Sequence, residues 1–407
     1  MCHWLCYFVL LCALPSAAFA AEEENPVPDY LLPVVELLSR GDPTLMPVGG
    51  NEIEVVSDGH RQWDLMLQDI KNARKSLCFE YFFWTPDEAG EQIRDAVLEK
   101  LTEGVHVRIL LENIIGGHYL KSFYQKMADA GAEVLYFTKT DGTLHQFLHR
   151  PFRRNHRKIF LVDDEIGYTG GMNIGKPYRD KWRDISIRIK GPAVAVLSRF
   201  FDEMWVSRGG SPQETKPELS SERTGDKLMQ LFTYGAGDPI MEEAFHLILQ
   251  AARQSIYIQT PYFFPTDRLL QDLGEAAERG VDVRLIVPYE LDVFFMKLAN
   301  ESCYEECLEK GVRIYEYLPC FNHSKLLFAD GILSFFGSTN WDYYGLSCCY
   351  ENDVLVFDKA LTEQMEKDFF EQLEDSKEIT LEGARSAFKK DKHDRKFWRG
   401  IRKRIYR

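Results

Sequence analysis

The chain of 407 residues contains one sequence pattern twice, and this duplication restricts its fold more than any other feature. The segments ARKSLCFEYFF (73–83) and ARQSIYIQTPYFF (252–264) each follow a helix-period segment and precede a helix that ends at Gly104 or Gly280. The Val-, Ile- and Leu-rich runs after these glycines are typical of buried parallel strands. The repeated helix–strand order therefore predicts two pseudo-symmetric α/β halves, each a mixed, largely parallel sheet flanked by helices.

The composition between and around the repeats gives approximate domain boundaries. We predict a first half over residues 45–210 and a second half over 226–380. The segment 206–225 between them is rich in Gly, Ser, Pro and charge, which is typical of a linker.

A histidine–lysine motif occurs at the matching place of each half. Both copies follow H-x-K-x4-D-x6-G-[GS]-x-N, with identical internal spacing. The first copy contains His156, Lys158, Asp163 and Asn173, and the second contains His323, Lys325, Asp330 and Asn340. Two residues apart in an extended segment, the His and Lys side chains project from one face and can reach one substrate. A lone H-x-K carries little information, but two complete copies predict a shared chemical site.

Each histidine also has a carboxylate 28 residues downstream, Asp184 after His156 and Glu351 after His323. We expect each carboxylate to hold the far ring nitrogen of its own histidine and so fix its tautomer. Glu80 is a further candidate at a strand end, with a buried structural carboxylate as the alternative.

These residues suit a two-step phosphodiester exchange. One imidazole attacks phosphorus to give a phosphohistidine, while the other protonates the leaving alkoxide and later deprotonates the acceptor. The two lysines would balance charge on the nonbridging oxygens, so we predict no metal and no cofactor. The candidate catalytic set is His156, Lys158, Asp163, His323, Lys325 and Asp330, and the supporting set is Asn173, Asn340, Ser338, Asp184, Glu351 and Glu80.

The surrounding residues have more specific expected roles. The amides of Asn173 and Asn340 would donate hydrogen bonds to the phosphate. Asp163 and Asp330 are expected to act structurally, at a strand-end turn, although they belong to the motif. The glycines that follow, Gly170, Gly171 and Gly337, would let the backbone turn close to the phosphate.

The paired motifs resemble those of the phospholipase D superfamily, whose signature is the duplicated HKD motif, and among its members bacterial cardiolipin synthases. The resemblance covers residues 45–380. It is carried by FEYFFW (79–84), NHRKIFLVDDEIGYTGGMNIG (155–175), TPYFFPTD (260–267), GVRIYEYLPCFNHSKLLFADG (311–331) and GSTNWDYYGLSCCYEND (337–353). The last segment departs from the family pattern at Tyr344, Gly345 and Tyr350, where Arg, Ser and Asn are usual.

The resemblance implies the phospholipase D fold, with one active site at the interface of the halves and no oligomer required. It also implies that His156 is the nucleophile and His323 the acid/base. The implied activity is a phosphatidyltransferase that moves a phosphatidyl group between two phosphatidylglycerol molecules and releases glycerol. A phospholipase D-type hydrolase or a nuclease would use the same site, and a non-catalytic lipid-binding scaffold is a further alternative.

Charge is distributed unevenly along the chain. The net charge is −14, but residues 385–407 contain eleven Lys and Arg against two Asp, a local charge of +9 that leaves −23 for the rest. An acidic body argues against a nucleic-acid partner. The basic tail also carries aromatic residues, which predicts contact with anionic phospholipid at a membrane surface. A disordered solubilising tail is the alternative.

Two further segments bear on membrane contact. The loop 138–155 is rich in basic and aromatic residues. This composition is equally consistent with contact to an anionic lipid headgroup and with a solvated connector. The apolar run Trp4–Leu14, followed by Ala18-Phe19-Ala20, is too short to span a bilayer, which takes about 20 residues. We predict a signal peptide or short membrane anchor over residues 1–20 and a place at the bacterial inner membrane, on either side.

Overall fold

The computed structural model describes residues 27–112, 117–138, 153–212, 222–387 and 392–406. The predicted N-terminal segment 1–20, most of the loop 138–155 and the middle of the linker 206–225 lie outside these residues. No helix within the described residues is long and apolar enough to cross a membrane.

The strands of the described residues join into one continuous mixed sheet. They are β1 (Val48–Val56), β2 (Ser76–Tyr81), β3 (His106–Leu111), β4 (Glu133–Tyr136), β5 (Arg154–Asn155), β6 (Ile159–Val162), β7 (Ile166–Gly170), β8 (Ser186–Lys190), β9 (Lys227–Tyr234), β10 (Ser255–Gln259), β11 (Asp282–Pro288), β12 (Arg313–Tyr317), β13 (Leu326–Ala329), β14 (Leu333–Gly337), β15 (Cys349–Phe357) and β16 (Ser376–Ile379). Their order is β16-β12-β11-β10-β13-β14-β15-β9-β1-β8-β7-β6-β2-β3-β4, and β5 pairs with β15.

This order repeats outward from the centre, where β1 and β9 pair antiparallel. From there β8, β7, β6, β2, β3 and β4 of the first half match β15, β14, β13, β10, β11 and β12 of the second. The prediction of two pseudo-symmetric α/β halves with a mixed sheet is confirmed.

Parallel pairing is less extensive than predicted. It is found in β2–β3–β4, in β10–β11–β12 and in the short β5–β15 pair, and the other pairs are antiparallel. The reason lies in the connections, because β6 and β7 are joined by residues 163–165 and β13 and β14 by residues 330–332. Such short links can join only antiparallel neighbours, whereas a parallel pair needs a crossover of a dozen residues or more.

Helices cover both faces of the sheet. They are α1 (Leu32–Ser39), α2 (Gly59–Asn72), α3 (Glu88–Thr102), α4 (Gly117–Asp129), α5 (Lys176–Asp180), α6 (Ala193–Ser207), α7 (Ile240–Ala251), α8 (Asp267–Glu278), α9 (Phe294–Glu309), α10 (Lys359–Glu374), α11 (Leu381–Ala387) and α12 (Lys392–Ile405). One core packs α2, α3 and α4 on the first half, and another packs α1, α7, α8 and α9 on the second. A third core, at α6 and α10, includes Ile187, Met229 and Val354 from strands of both halves and so holds the halves together.

The basic tail forms a helix that packs on the second half. Trp398, Ile401 and Ile405 of α12 contact the second-half core, and the buried Arg402 guanidinium lies 2.8 Å from a carboxylate oxygen of Asp267. The alternative of a disordered tail is therefore wrong for residues 392–406. Part of the basic charge is neutralised within the protein rather than left for a membrane.

Asp163 and Asp330 occupy the turns of the β6–β7 and β13–β14 hairpins, with positive φ angles of 56° and 53°. The Asp163 carboxylate accepts the backbone N–H groups of Arg74, Lys75 and Ser76, and that of Asp330 accepts those of Arg253, Gln254 and Ser255. They stand at the end of β6 and β13 remote from the histidines, seven residues along the chain in each motif, which corresponds to about 23 Å of extended chain. The structure therefore places both aspartates in hairpin turns, as expected for a structural role, and their part in the chemistry stays a prediction.

We expect Asp330→Ala to lower the free energy of unfolding by about 2 kcal/mol, because three N–H groups lose a charged acceptor and alanine is unfavourable at this φ. Asp330→Asn keeps an acceptor oxygen and tolerates the left-handed conformation, so its loss should be smaller. Urea denaturation followed by circular dichroism measures both. Asp226→Ala, at a side chain 84% exposed, is the control, and equal midpoints for all variants would contradict the role.

Candidate active site

The two motif histidines lie at the seam between the halves, and each is held by the backbone of the opposite half. β5 runs parallel to the start of β15, and the His156 N–H donates to the Tyr350 carbonyl at 2.9 Å. The His323 N–H donates to the Arg183 carbonyl at 2.7 Å. Each motif therefore lies beside the segment that carries the other half's carboxylate and pairs with it through backbone hydrogen bonds.

The carboxylates pair with the histidines across this seam. The Nδ1 atom of His156 lies 2.9 Å from Oε2 of Glu351, and the Nδ1 atom of His323 lies 2.6 Å from Oδ2 of Asp184. Both carboxylates are fully buried. The prediction that each histidine pairs with the carboxylate of its own half is wrong. Because the interval of 28 residues is the same in both copies, it could not distinguish the two pairings.

The pairing fixes which ring nitrogen is free for chemistry. One proton lies between Nδ1 and the carboxylate in each pair, so Nε2 is the nitrogen that can attack or transfer a proton. The carboxylate also stabilises the imidazolium that forms when Nε2 is protonated. Neither half contains a complete histidine–carboxylate pair, so both halves are needed for one site.

Lys158 and Lys325 lie against the histidines of their own motifs. Each ammonium group donates to the carbonyl oxygen of that histidine, and Nζ of Lys325 lies 2.9 Å from Nδ1 of His323. Burial lowers the pKa of Lys158 to about 7 and that of Lys325 to about 8, while Glu351 and Asp184 oppose this effect. The two cations are thus held in a buried cluster with two carboxylates.

The surroundings of both histidines favour the neutral imidazole. Burial, together with the ammonium groups of Lys158 and Lys325, holds the pKa of His156 well below its usual range. Burial and Lys325 lower the pKa of His323 to about 4, and Asp184 opposes them. Both lysines act on both histidines, which places the two motifs in one electrostatic environment.

Glu80 supports the site from below rather than facing it. It is fully buried, and its carboxylate accepts a hydrogen bond from Asn155 Nδ2 at 2.7 Å and another from the Arg157 guanidinium at 2.7 Å. Burial raises its pKa, and Arg157 opposes this. In the second half Gln259 takes the equivalent strand position and accepts from the Ser324 hydroxyl at 3.1 Å. These contacts hold the segments that carry the histidines.

The two asparagines of the motifs are used differently. Asn173 accepts from the Phe83 N–H at 3.0 Å and donates to the Tyr178 hydroxyl at 2.8 Å, so its amide supports neighbouring residues. Asn340 is buried, and among the described residues its Oδ1 atom has no hydrogen-bond partner. The Ser338 hydroxyl donates to the Asn352 carbonyl. Burial raises the pKa of Glu351, and a hydrogen bond from Ser338 partly opposes this effect.

The motif glycines are required for a reason other than the predicted approach to phosphate. A Cβ at Gly171 would lie 2.2 Å from Oδ1 of Asp184, and a Cβ at Gly337 would lie 1.7 Å from Oδ1 of Asp353. Gly170 has a φ of +133°, which only glycine adopts readily. The glycines therefore leave room for the buried carboxylates.

Sequence reasoning missed several buried polar residues of the second half. Asn352 accepts the Lys158 N–H at 3.1 Å, and Asp353 accepts the N–H groups of Ser338 and Thr339 at 2.9 and 3.1 Å. Burial raises the pKa of Asp353 to about 8. One available signal was the asparagine that precedes the histidine in both copies. The first half has Ile185 and Ser186 at the positions equivalent to Asn352 and Asp353, so the repeat did not reveal these two residues.

Aromatic rings border both histidines. The ring of Phe82 lies edge-on to His156 at 5.1 Å between centroids. Tyr178, Trp182 and Phe321 surround His323 at 5.5, 5.7 and 5.6 Å. These rings restrict water around the reactive nitrogens, and most come from segments outside the motifs.

The departure from the family pattern at Gly345 has a local explanation. Residues Tyr344–Cys348 form a π-helical turn, and the Gly345 N–H donates to the carboxylate of Asp342 at 2.9 Å. A Cβ at Gly345 would lie 2.4 Å from the Asn340 carbonyl oxygen, so a larger residue does not fit here. Among the described residues, no group of three or more His, Cys, Asp or Glu side chains could hold a metal ion.

Comparisons with known proteins agree with this arrangement. A sequence family described as "Cardiolipin synthase, PLD-like domain" matches residues 66–205 and 246–373. The chain is 31% identical to cardiolipin synthase of Geobacillus sp. over 374 residues, 89% of this chain and 74% of that one. It is 32% identical to cardiolipin synthase 1 of Staphylococcus epidermidis over 343 residues, 82% of this chain and 70% of that one. Phosphatidylserine synthase of Haemophilus influenzae shares the fold, with a TM-score of 0.67 at 16% identity over 89% of this chain and 98% of that one.

We expect Gly171→Ala to lower turnover by about a hundredfold, because the new methyl group displaces Asp184 and with it His323. Gly49→Ala is the matched control, since its Cβ would lie at an ordinary 3.7 Å from Leu228. Turnover per folded molecule and thermal unfolding are measured for both. Normal turnover in Gly171→Ala would show that the His323–Asp184 distance does not matter.

Proposed function

The chain belongs to the cardiolipin synthase family with phospholipase D-like domains, and we propose that it transfers a phosphatidyl group from one phosphatidylglycerol to another. It is a phosphatidyltransferase of the phospholipase D superfamily. The observation that carries the proposal is the pair of crossed histidine–carboxylate contacts with a lysine beside each histidine. Such a site can perform both a nucleophilic attack and a proton transfer without a second chain.

In the first step, Nε2 of His156 attacks the phosphorus of phosphatidylglycerol. A P–N bond forms, the bond from phosphorus to the glycerol oxygen breaks, and His323 gives its proton to that oxygen. Glycerol leaves and a phosphatidyl–His156 intermediate remains. Lys158 and Lys325 neutralise the nonbridging oxygens, and the negative charge of the bound phosphate favours the protonated form of His323.

In the second step, a hydroxyl group of another phosphatidylglycerol replaces the histidine. His323 takes the hydroxyl proton, the new P–O bond forms, and the P–N bond to His156 breaks to restore the free imidazole. The product is cardiolipin. Glu351 stabilises the positive charge on His156 in the intermediate, as Asp184 does for the protonated His323.

The membrane partner belongs to the same proposal. Both substrates are lipids of a bilayer, so we place the enzyme at an anionic membrane surface, the bacterial inner membrane. The exposed positive charge at the end of α12 supports contact with anionic headgroups. Deletion of residues 385–407 would not test this contact cleanly, because Trp398 and Ile401 pack against the second-half core.

We expect His156→Ala to reduce cardiolipin formation by about a thousandfold or more, because the nucleophile is lost. The protein is incubated with phosphatidylglycerol vesicles, and the lipid products and free glycerol are separated by chromatography. His60→Ala, at a histidine with a side chain 69% exposed, is the control. Cardiolipin with glycerol supports the transferase, phosphatidic acid would indicate a hydrolase, and no product from the unaltered protein would indicate a scaffold.

We expect kcat/KM to decline as the pH rises from about 7 to above 8, because Lys158 and then Lys325 lose their protons and the phosphate loses its counter-charges. The pH profile of kcat/KM measures this alkaline limb. Arginine stays protonated throughout the range, so Lys325→Arg should lower the overall rate and remove the part of the limb near pH 8, while the part near pH 7 that belongs to Lys158 remains. An unchanged limb in this variant would contradict the role of Lys325.

A further inference from the structure

Three exposed phenylalanines and a half-buried tryptophan lie where α9 and α12 meet, and we call Phe294, Phe295, Phe397 and Trp398 the aromatic face. We propose that the aromatic face inserts into the headgroup layer of an anionic phospholipid bilayer and holds the mouth of the active site against it. The inference rests on the proposed function, since it assigns the surface by which that enzyme would reach its lipid substrates.

The exposure of these rings is unusual for apolar side chains. Phe294 is 79% exposed, Phe397 is 59% exposed and Phe295 is 51% exposed. Three of the rings are contiguous, because Trp398 stacks on Phe295 at 6.3 Å and contacts Phe397 at 5.6 Å between centroids, and Phe294 precedes Phe295 at the start of α9. Scattered apolar side chains need no explanation, but a contiguous exposed group marks an interaction surface.

The aromatic face adjoins the active site through the segment that precedes α9. Asp292, two residues before Phe294, accepts a hydrogen bond from the Tyr262 hydroxyl at 2.5 Å. Tyr262 follows β10, and the Asp292 charge acts on Lys325 after the larger effects of burial, Asp184 and Glu351. The segment before α9 therefore connects the aromatic face with the surroundings of Lys325.

A second connection runs along α12. Tyr406, at the end of that helix, lies 5.4 Å from the ring of Tyr343, which belongs to the same segment as Asn340. The Tyr406 hydroxyl donates to the Phe264 carbonyl at 2.7 Å, and Trp398 packs edge-on to the Phe264 ring. The aromatic face and the second motif are thus joined by direct packing.

The charge around the aromatic face favours an anionic bilayer. Arg402 and Arg399 pair with Glu306 and Glu305 of α9, which fixes α12 in place. Lys403 and Arg404, in the last turn of the same helix, are exposed. Because the chain outside residues 385–407 carries a charge of −23, an anionic surface repels most of the molecule and attracts this end.

A second copy of the chain is the other occupant to consider. In a two-fold dimer through the aromatic face, the exposed cations at the end of α12 from both subunits would be brought to one interface, since the same patch serves both subunits. Like charges brought together in this way oppose association. A bilayer with anionic headgroups satisfies the rings and the cations at once, so we favour it.

The test compares vesicle binding by the full chain and by the double variant Phe294→Ser with Phe397→Ser. Flotation with vesicles of phosphatidylglycerol and phosphatidylcholine measures the bound fraction. We expect about tenfold weaker binding from the loss of two inserting rings. Val206→Ser, at a residue of α6 that is 44% exposed, is the matched control and should bind normally. Lys403→Gln with Arg404→Gln should reduce the preference for anionic over pure phosphatidylcholine vesicles.

A short-chain phosphatidylglycerol, dispersed as monomers, separates this proposal from the proposed function. The aromatic-face variant should turn over the monomeric lipid at the normal rate, which also shows that it is folded. Vesicle binding equal to that of the unaltered chain would overturn the proposal, whatever the enzymatic outcome. A change from dimer to monomer in sedimentation, with unchanged vesicle binding, would overturn it in favour of a second copy.

Discussion

The contact between each histidine and the carboxylate of the opposite half is the interaction on which the site depends. A hydrogen bond of 2.6 to 2.9 Å tolerates little relative movement, so the two halves must be fixed to each other closely. The β1–β9 ladder and the core at α6 and α10 provide this rigidity. The continuous sheet is therefore a requirement of the chemistry as well as a product of the duplication.

The sequence was sufficient for the duplicated α/β fold and for the residues that gather in the site. It was not sufficient for the pairing of His156 with Glu351, because equal spacing in the two copies does not specify which half a partner comes from. The sequence predicts more parallel pairing than the structure contains. The short hairpin turns at Asp163 and Asp330 make their flanking strands antiparallel, and the strand pattern alone does not show this. Contacts such as that of Asn352 with Lys158 arise only when distant strands meet.

The site brings ionisable groups together in a buried region, where the charged form of each group is disfavoured. Lys158, Lys325 and Glu351 are all buried. Burial lowers the pKa of both lysines and raises that of Glu351, so it favours the neutral form of each side chain. Removing one member would leave an uncompensated charge, so these groups stabilise one another only as a set. A phosphodiester that enters the cluster brings a negative charge to two closely spaced cations. A bound phosphate therefore compensates the positive charge of the two lysines, which stabilises the cluster.

The unbroken sheet also bears on how a bulky product departs. Hinge opening between the halves would break the β1–β9 ladder and the β5–β15 pair, whose backbone hydrogen bonds join the two halves. We therefore expect no hinge opening between the two halves during the catalytic cycle. Cardiolipin carries twice the acyl chains of its precursor, and those chains must stay outside the protein while only the phosphates and glycerol exchange within it. Release then becomes a sideways diffusion of lipid away from a stationary cleft.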